Sequence, residues 1–66
     1  MRGNIKRLNS ERGYGFIRAE QEGREFFFHR SSVQGTTFED LREGDRVEFT
    51  EAASAKGPRA EAIIRV

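Results

Sequence analysis

The sequence contains no cysteine and no tryptophan, and it has a single proline and a single histidine. Without cysteine the chain has neither a disulfide framework nor a thiolate ligand for a metal. One histidine completes a zinc site only when several carboxylates cluster around it, and the sequence shows no such cluster. We therefore expect no bound metal and no cofactor.

The chain also lacks long apolar runs. No segment approaches the ~20 apolar residues that a membrane-spanning helix needs. Residues 1–4 lack the apolar stretch of a signal peptide. We therefore expect a cytoplasmic protein that does not associate with membranes.

The short chain limits the kind of site that can form. Its 66 residues, 35% of them hydrophobic, predict one domain over residues 1–66, which we expect to be a monomer. Ordering the chain costs roughly 1.5 kcal/mol per residue, so nearly all of the apolar burial must offset that cost. A shallow surface site is therefore expected. Ser31 and Ser32 follow His29, but no orienting acid and no glycine-rich phosphate loop accompany them, so we expect no enzymatic activity.

Charge is distributed unevenly along a chain whose net charge is only +1. Cations dominate residues 1–18, whereas acids concentrate at residues 20–25 and 39–51. The cations of the first segment are Arg2, Lys6, Arg7, Arg12 and Arg18. This asymmetry fits one basic face and one acidic side, although an ordinary mixed surface is the alternative.

Alternating apolar and polar residues, separated by turn signals, indicate a β protein. The pattern predicts strands at residues 4–8, 14–19, 24–29, 46–51 and 59–66. Residues 30–33 fit a single helical turn, and Phe38 or Leu41 is expected to anchor the long connection that follows. Five short strands predict an all-β fold, a five-stranded antiparallel barrel of the oligonucleotide-binding (OB) type, because closure removes exposed sheet edges.

Two aromatic runs carry the functional signal. Side chains alternate across a strand, so Tyr14 and Phe16 share one face, and Phe27 and His29 share one face of the next strand. We expect these rings to point outward while Ile17 and the remaining aromatic residues of the second run fill the barrel, with a glycine between Tyr14 and Phe16 leaving space for a bulky neighbour. The opposite register, with these rings in the core, stays open on pattern alone.

An outward aromatic patch beside cations suits single-stranded nucleic acid, because bases stack on rings and phosphates need positive charge. The nearby cations are Lys6, Arg7, Arg12 and Arg30. The alternative is a protein-interaction module that uses the aromatic face or the acidic side at residues 39–51.

The sequence resembles bacterial cold-shock proteins along its whole length. Residues 12–17 read Arg-Gly-Tyr-Gly-Phe-Ile and match the family's first ribonucleoprotein motif, Lys-Gly-(Phe/Tyr)-Gly-Phe-Ile. Residues 26–29 read Phe-Phe-Phe-His and are similar to its second motif, Val-Phe-Val-His-Phe. Residues 3–9, 34–44 and 56–60 also follow the family pattern.

The resemblance implies an OB barrel that binds single-stranded RNA or DNA and acts as an RNA chaperone. It also implies that nine residues lie on or beside the binding face: Lys6, Asn9, Tyr14, Phe16, Phe27, His29, Phe38, Lys56 and Arg59. It favours the outward register of the rings.

Two family stacking platforms are replaced by arginine. Arg7 stands where the family has a tryptophan, with Leu8 in place of the phenylalanine after it, and Arg30 stands where the family has a phenylalanine after the histidine. A guanidinium both stacks on bases and pairs with phosphates. We interpret the chain as a variant that shifts part of its binding from stacking to charge. A drifted relative with weakened binding is the alternative.

Overall fold

Five strands and two single-turn 3₁₀ helices account for the regular structure. The structure is a computed structural model that describes residues 1–21, 23–55 and 57–66. The strands are β1 (Arg2–Asn9), β2 (Tyr14–Ala19), β3 (Glu25–His29), β4 (Arg46–Ala52) and β5 (Arg59–Arg65). The 3₁₀ helices are Arg30–Ser32, at the predicted helical turn, and Phe38–Asp40, in the long connection before β4. Within the described part of the chain, no helix has the length and apolar character needed to cross a bilayer.

The strands close into a barrel in the order β1-β2-β3-β5-β4. The predicted OB-type barrel is thereby confirmed. Four neighbouring pairs are antiparallel, and the pair that joins β3 to β5 is parallel, through Phe27 and Arg59. One parallel pair is unavoidable, because an odd number of strands cannot alternate in direction all the way around a closed ring.

The core confirms the outward register of the aromatic runs. Ile17, Phe26 and Phe28 are fully buried, and the alternation of β2 and β3 therefore turns the intervening rings outward. The other strand residues of the core are Ile5, Ala19, Val47, Phe49, Ala60 and Ile63.

Phe38, which we expect on the binding face from the sequence, lies in this core instead. Both Phe38 and Leu41 are buried, although we expected only one of them to anchor the long connection. The Phe38 ring is 5% exposed, and its centroid lies 6.0 Å from that of Phe28. Burying a phenylalanine side chain contributes about 1.5–3 kcal/mol, which offsets part of the cost of ordering the connection. The structure therefore does not offer this ring to a base.

A β-bulge in β1 presents two consecutive cations to solvent. Ile5 pairs with Ile17 and Arg7 pairs with Phe16, so Lys6 is the extra residue on its strand. Strict alternation would turn either Lys6 or Arg7 inward, but the bulge leaves both exposed. The irregularity therefore doubles the positive charge at this point of the barrel surface.

Gly15 provides the space that the sequence pattern predicted for a bulky neighbour. A Cβ added there would lie 2.7 Å from the Arg7 carbonyl oxygen and 2.8 Å from two atoms of the Phe28 ring. The missing side chain thus allows the Phe28 ring to enter the barrel behind the aromatic patch.

We expect Gly15→Ala to destabilise the protein by about 1–3 kcal/mol, the usual cost of forcing extra atoms into a packed core. Urea unfolding followed by circular dichroism measures the change. A midpoint equal to that of the wild type would show that the ring and the β1 backbone move aside freely, contrary to this packing.

Candidate nucleic-acid interface

Three aromatic rings form a cluster on the outer face of β2 and β3. Phe16 lies directly opposite Phe27 in the strand register, with ring centroids 5.8 Å apart. Tyr14 lies 6.1 Å from Phe16 and 5.7 Å from Phe27, measured between centroids. Phe27 is 37% exposed, whereas the other two rings are half-buried because they cover one another. We call these three residues the aromatic cluster.

Asn9 fixes one end of the aromatic cluster. Its Nδ2 donates to the Tyr14 hydroxyl over 3.3 Å, and its Oδ1 accepts a hydrogen bond from the Arg12 backbone N–H over 3.1 Å. The same side chain therefore holds both the ring of Tyr14 and the turn that carries the exposed Arg12 side chain.

His29 is oriented by the 3₁₀ turn that follows it. Its Nδ1 accepts the Ser31 backbone N–H at 3.2 Å and lies 3.1 Å from the Ser31 hydroxyl. A backbone N–H only donates, so Nδ1 is the acceptor and the neutral ring carries its proton on Nε2. His29 lies opposite Tyr14 in the strand register and extends the outer face beyond the aromatic cluster.

Arg30 packs on the backbone of the turn before β2. Its N–H donates to the Gly13 carbonyl over 2.8 Å. A Cβ at Gly13 would lie 2.7 Å from Nη2 and 2.9 Å from Cζ of the Arg30 guanidinium, and Gly13 has a φ of 73°. The absence of a Gly13 side chain thus leaves room for the edge of the Arg30 guanidinium against the backbone of this turn.

The other end of the face combines cations with one acid. Lys6 forms an ion pair with Glu25, and Arg18 lies directly opposite Glu25 in the strand register. The hydrogen bond from Lys6 holds the pKa of Glu25 below its ordinary value; desolvation opposes this effect, and the charges of Lys6, Arg18 and Arg7 reinforce it. A groove of about 240 Å³ lies between Lys6, Arg7, Phe16 and Glu25.

A larger cleft borders the aromatic cluster on the β5 side. It measures about 430 Å³ and is lined by Phe16, Phe27, Ser54, Ala55, Pro58 and Arg59. The buried Nε of Arg59 makes no hydrogen bond to a described residue, and it lies 3.7 Å from a Glu61 carboxylate oxygen. Lys56, the other predicted cation of this region, lies outside the described residues.

Positive charge without a partner gathers around the aromatic cluster. Four arginine side chains make no hydrogen bond or ion pair with another described residue: Arg7, Arg12, Arg18 and Arg30. They lie on β1, on β2 and in the two turns that flank the rings. Elsewhere on the barrel, arginines pair with acids, as Arg2 does with Glu48 at 3.2 Å.

Such pairs neutralise part of the predicted acidic side: Asp45, Glu48 and Glu51 form ion pairs with arginines, whereas Glu39, Asp40 and Glu43 form none with a described residue. Glu20 lies 2.8 Å from Arg46, and Glu51 lies 2.8 Å from Arg24. Arginines therefore interrupt the acids of β4 and of the turn after β2, while the arginines without a described partner lie around the aromatic cluster.

The structure brings together ten of the twelve residues expected at the site from the sequence; Phe38 is buried and Lys56 is not described. Two neighbours were missed, Arg18 and Glu25. The same alternation could have found both, because Arg18 follows Tyr14 and Phe16 at period two and Glu25 precedes Phe27 at period two.

A protein-family model described as the 'Cold-shock' DNA-binding domain matches residues 1–66. The chain belongs to the cold-shock domain family. It is 42% identical over 64 residues to the cold shock-like protein CspE of Escherichia coli K12, covering 97% of this chain and 93% of that protein. It is 41% identical over 64 residues to the major cold shock protein of Micrococcus luteus, covering 97% and 96%. It is 44% identical over 61 residues to the cold shock-like protein CspA of Bordetella pertussis, covering 92% and 91%.

A solved structure of Drosophila Unr CSD456 has the same fold, with a TM-score of 0.76 and 27% sequence identity. The match covers 98% of this chain but only 26% of the Unr chain, so it concerns the barrel alone. Family membership supports nucleic-acid binding as the general activity of such a barrel.

The hydrogen bond between His29 and Ser31 predicts a contrast between two substitutions. His29→Ala removes the acceptor at the start of the 3₁₀ turn and should cost about 1 kcal/mol of stability. His29→Asn should retain most of that stability, because its Oδ1 accepts the same N–H. Urea unfolding of both variants distinguishes them, and equal destabilisation would contradict the capping role.

Proposed function

We propose that this protein binds single-stranded RNA or DNA on the outer face of β1, β2 and β3. Bases stack on Tyr14, Phe16, Phe27 and His29, and surrounding cations contact phosphates. The observation that carries the proposal is the position of the four arginines that have no partner among the described residues, all of which flank the aromatic cluster.

The rings supply the sequence-tolerant part of the binding. Stacking on an aromatic side chain contributes about 1–3 kcal/mol per base, and every base has a face that can stack. An exposed ring such as Phe27 forgoes burial that would otherwise stabilise the fold, which is typical of a binding surface.

Electrostatic attraction between cations and phosphates supplies the rest of the binding free energy. Arg12 and Arg30 lie at one end of the aromatic cluster, and Lys6, Arg7 and Arg18 lie at the other. A strand that crosses the rings therefore meets cations at both ends. Arg59 adds a further cation at the cleft beside β5.

Arg7 and Arg30 give this member of the family a stronger dependence on charge. Both stand where relatives of the cold-shock type carry rings, and both are exposed beside the cluster. The Arg30 guanidinium lies against Gly13, and a guanidinium in this position can stack on a base as well as bind a phosphate.

Binding of this kind supports an RNA chaperone role. A surface that stacks unpaired bases competes with weak base pairing, because a base in a duplex has its faces covered. The site is shallow and open, which allows rapid exchange along a strand.

A protein-interaction role through the acidic side has less support. Asp45, Glu48 and Glu51 of that side are each paired with an arginine, which reduces the negative charge that would attract a basic partner. The charge distribution favours a polyanion on the opposite face.

The stacking role predicts that Phe16→Ala and Phe27→Ala each weaken binding to a labelled oligo-dT or oligo-rU hexamer by about 1–3 kcal/mol. Fluorescence titration measures the change, with unfolding curves to establish that the variants are folded. Ile64→Ala is the matched control, because it truncates an apolar side chain of similar exposure on β5, 46% against 37% for Phe27.

A DNA duplex of the same length should compete poorly, since its bases are already stacked. Equal loss of affinity in the Ile64 variant, or equal competition by duplex and single strand at moderate salt, would count against stacking on these rings.

The charge-for-stacking interpretation predicts that Arg7→Trp combined with Arg30→Phe tightens single-strand binding at high salt. The double variant should also have a shallower dependence of log affinity on log salt, because each phosphate contact contributes about 0.7 to that slope. Titrations at several salt concentrations measure both quantities.

Arg46→Gln removes a cation whose ion pair with Glu20 lies away from the aromatic cluster, and it should leave the slope unchanged. If the double variant shows the wild-type slope and no gain at high salt, Arg7 and Arg30 do not contact the ligand.

A further inference from the structure

A β-bulge in β5 places an alanine in a left-handed backbone conformation. The register between β4 and β5 shifts between Glu48 and Thr50, so Ala62 and Ile63 together lie opposite the single residue Phe49. Ala62 has a φ of 53°, in the region that glycine usually occupies at such a bulge. Among the described residues, no other non-glycine residue has a positive φ. An alanine in this conformation is strained, because its Cβ comes too close to the following carbonyl oxygen.

The bulge is what buries Ile63. Ala60 and Ile63 both lie in the core although they are three residues apart, whereas strict alternation would turn Ile63 outward. The extra residue restores the inward direction and lets the Ile63 side chain complete the interior of the barrel. The packing of Ile63 therefore maintains the strain at Ala62, and this strain would be released if β5 moved away from the core.

Ile63 also belongs to the shortest junction between neighbouring strands of the barrel, the one between β3 and β5. Among the described residues, this junction has one ladder pair, Phe27 with Arg59, and one isolated bridge, Val33 with Ile63. Each of the other four junctions is joined at three or more positions along its strands. We call the junction between β3 and β5 the seam.

Two backbone hydrogen bonds mark the two ends of the seam. The Phe27 N–H donates to the Pro58 carbonyl oxygen over 3.3 Å, and the Gln34 N–H donates to the Ile63 carbonyl oxygen over 2.7 Å. The second of these acceptors belongs to the residue directly after Ala62. A change of the Ala62 backbone toward an extended conformation would therefore turn this carbonyl away from Gln34.

We propose that the strained bulge at Ala62 is a hinge at which β5 opens locally from β3, and that a bound nucleic-acid strand holds the seam closed. Opening releases the left-handed strain and separates the barrel where its strands are least paired, so it requires less free energy than unfolding the whole barrel. The effect of the bound strand rests on the proposed function.

The proposed binding face extends across the seam. Phe27 lies on β3 and Arg59 lies on β5, and both line the cleft of about 430 Å³ beside the aromatic cluster. A base stacked on Phe27, with its phosphate at Arg59, contacts both sides of the seam. Such a ligand binds the closed form better than the open form, so it shifts the equilibrium toward closure.

Hydrogen exchange of ¹⁵N-labelled protein, followed by nuclear magnetic resonance, measures this opening. The amides of Phe27 and Gln34 report on the seam, and the amide of Ile17, on a strand paired on both sides, reports on unfolding of the whole barrel. The protection factors of the two seam amides should be at least about tenfold lower than that of Ile17. Equal protection of all three amides would show that the seam opens only with the whole barrel and would overturn the proposal.

Substitutions that relieve the strain should make the seam open less often. Ala62→Gly should raise the protection factors of the two seam amides by about threefold, because relief of the left-handed strain exceeds the entropic cost of a glycine. Ala62→Asn should act in the same direction, since asparagine also adopts this conformation. Ala52→Gly is the matched control, because Ala52 ends β4 without a positive φ, and it should not raise seam protection. Unchanged seam protection in both Ala62 variants, or an equal rise in the control, would overturn the hinge.

The same exchange measurement with hexathymidylate tests the effect of a bound strand. At a concentration of about 100 times the dissociation constant, a ligand that binds only the closed form raises seam protection by about 100-fold. Binding that leaves seam protection unchanged would overturn closure by the ligand. Failure of the wild type to bind hexathymidylate would overturn the proposed function, whereas the comparison of the Ala62 variants without ligand would still decide whether the hinge exists.

Discussion

The inward packing of Phe26 and Phe28 is the interaction on which the rest of the structure depends. Both rings are fully buried, and truncating a buried phenylalanine typically costs 3–5 kcal/mol. Because side chains alternate along β3, this packing turns Phe27 and His29 outward. A register slip by one residue would expose Phe26 and Phe28 and bury the imidazole of His29. The register of β3 therefore determines both the core and the binding face.

In the neighbouring strands, too, the residues that pack the core determine which side chains reach the surface. Gly15 admits the Phe28 ring from behind, while the residues on either side of it present their rings to solvent. The β1 bulge then places Lys6 and Arg7 together at the edge of that surface. Ion pairs cancel much of the charge elsewhere, and the face that remains positive is the one that carries the rings.

Much of this arrangement follows from period-two patterning, and the exceptions have physical causes. The strand bounds, to within two residues, and the buried positions of Ile17 and Phe28 were predictable because alternation is local. The burial of Phe38 was not, because a 3₁₀ turn in a long connection has no periodic signal. The joint exposure of Lys6 and Arg7 depends on a bulge, which shifts the register without leaving a mark in the apolar pattern.

Ion pairing was also beyond the reach of the sequence. Arg46 and Glu20 meet only because the barrel brings β4 close to the turn after β2, far apart along the chain. Composition could therefore predict a basic face and an acidic side, but it could not show that half of the acids at residues 39–51 are paired with arginines. That distinction is what favours nucleic acid over a protein partner.

The central claim is that a single strand lies across the outer face of β2 and β3. Nuclear magnetic resonance of ¹⁵N-labelled protein, titrated with a hexathymidylate strand, tests this claim most directly. We predict that the largest amide shift changes occur at Tyr14, Phe16, Phe27, His29 and Arg30, with little change in β4. Changes centred on β4 and the Phe38–Asp40 turn, with the aromatic strands unaffected, would contradict it.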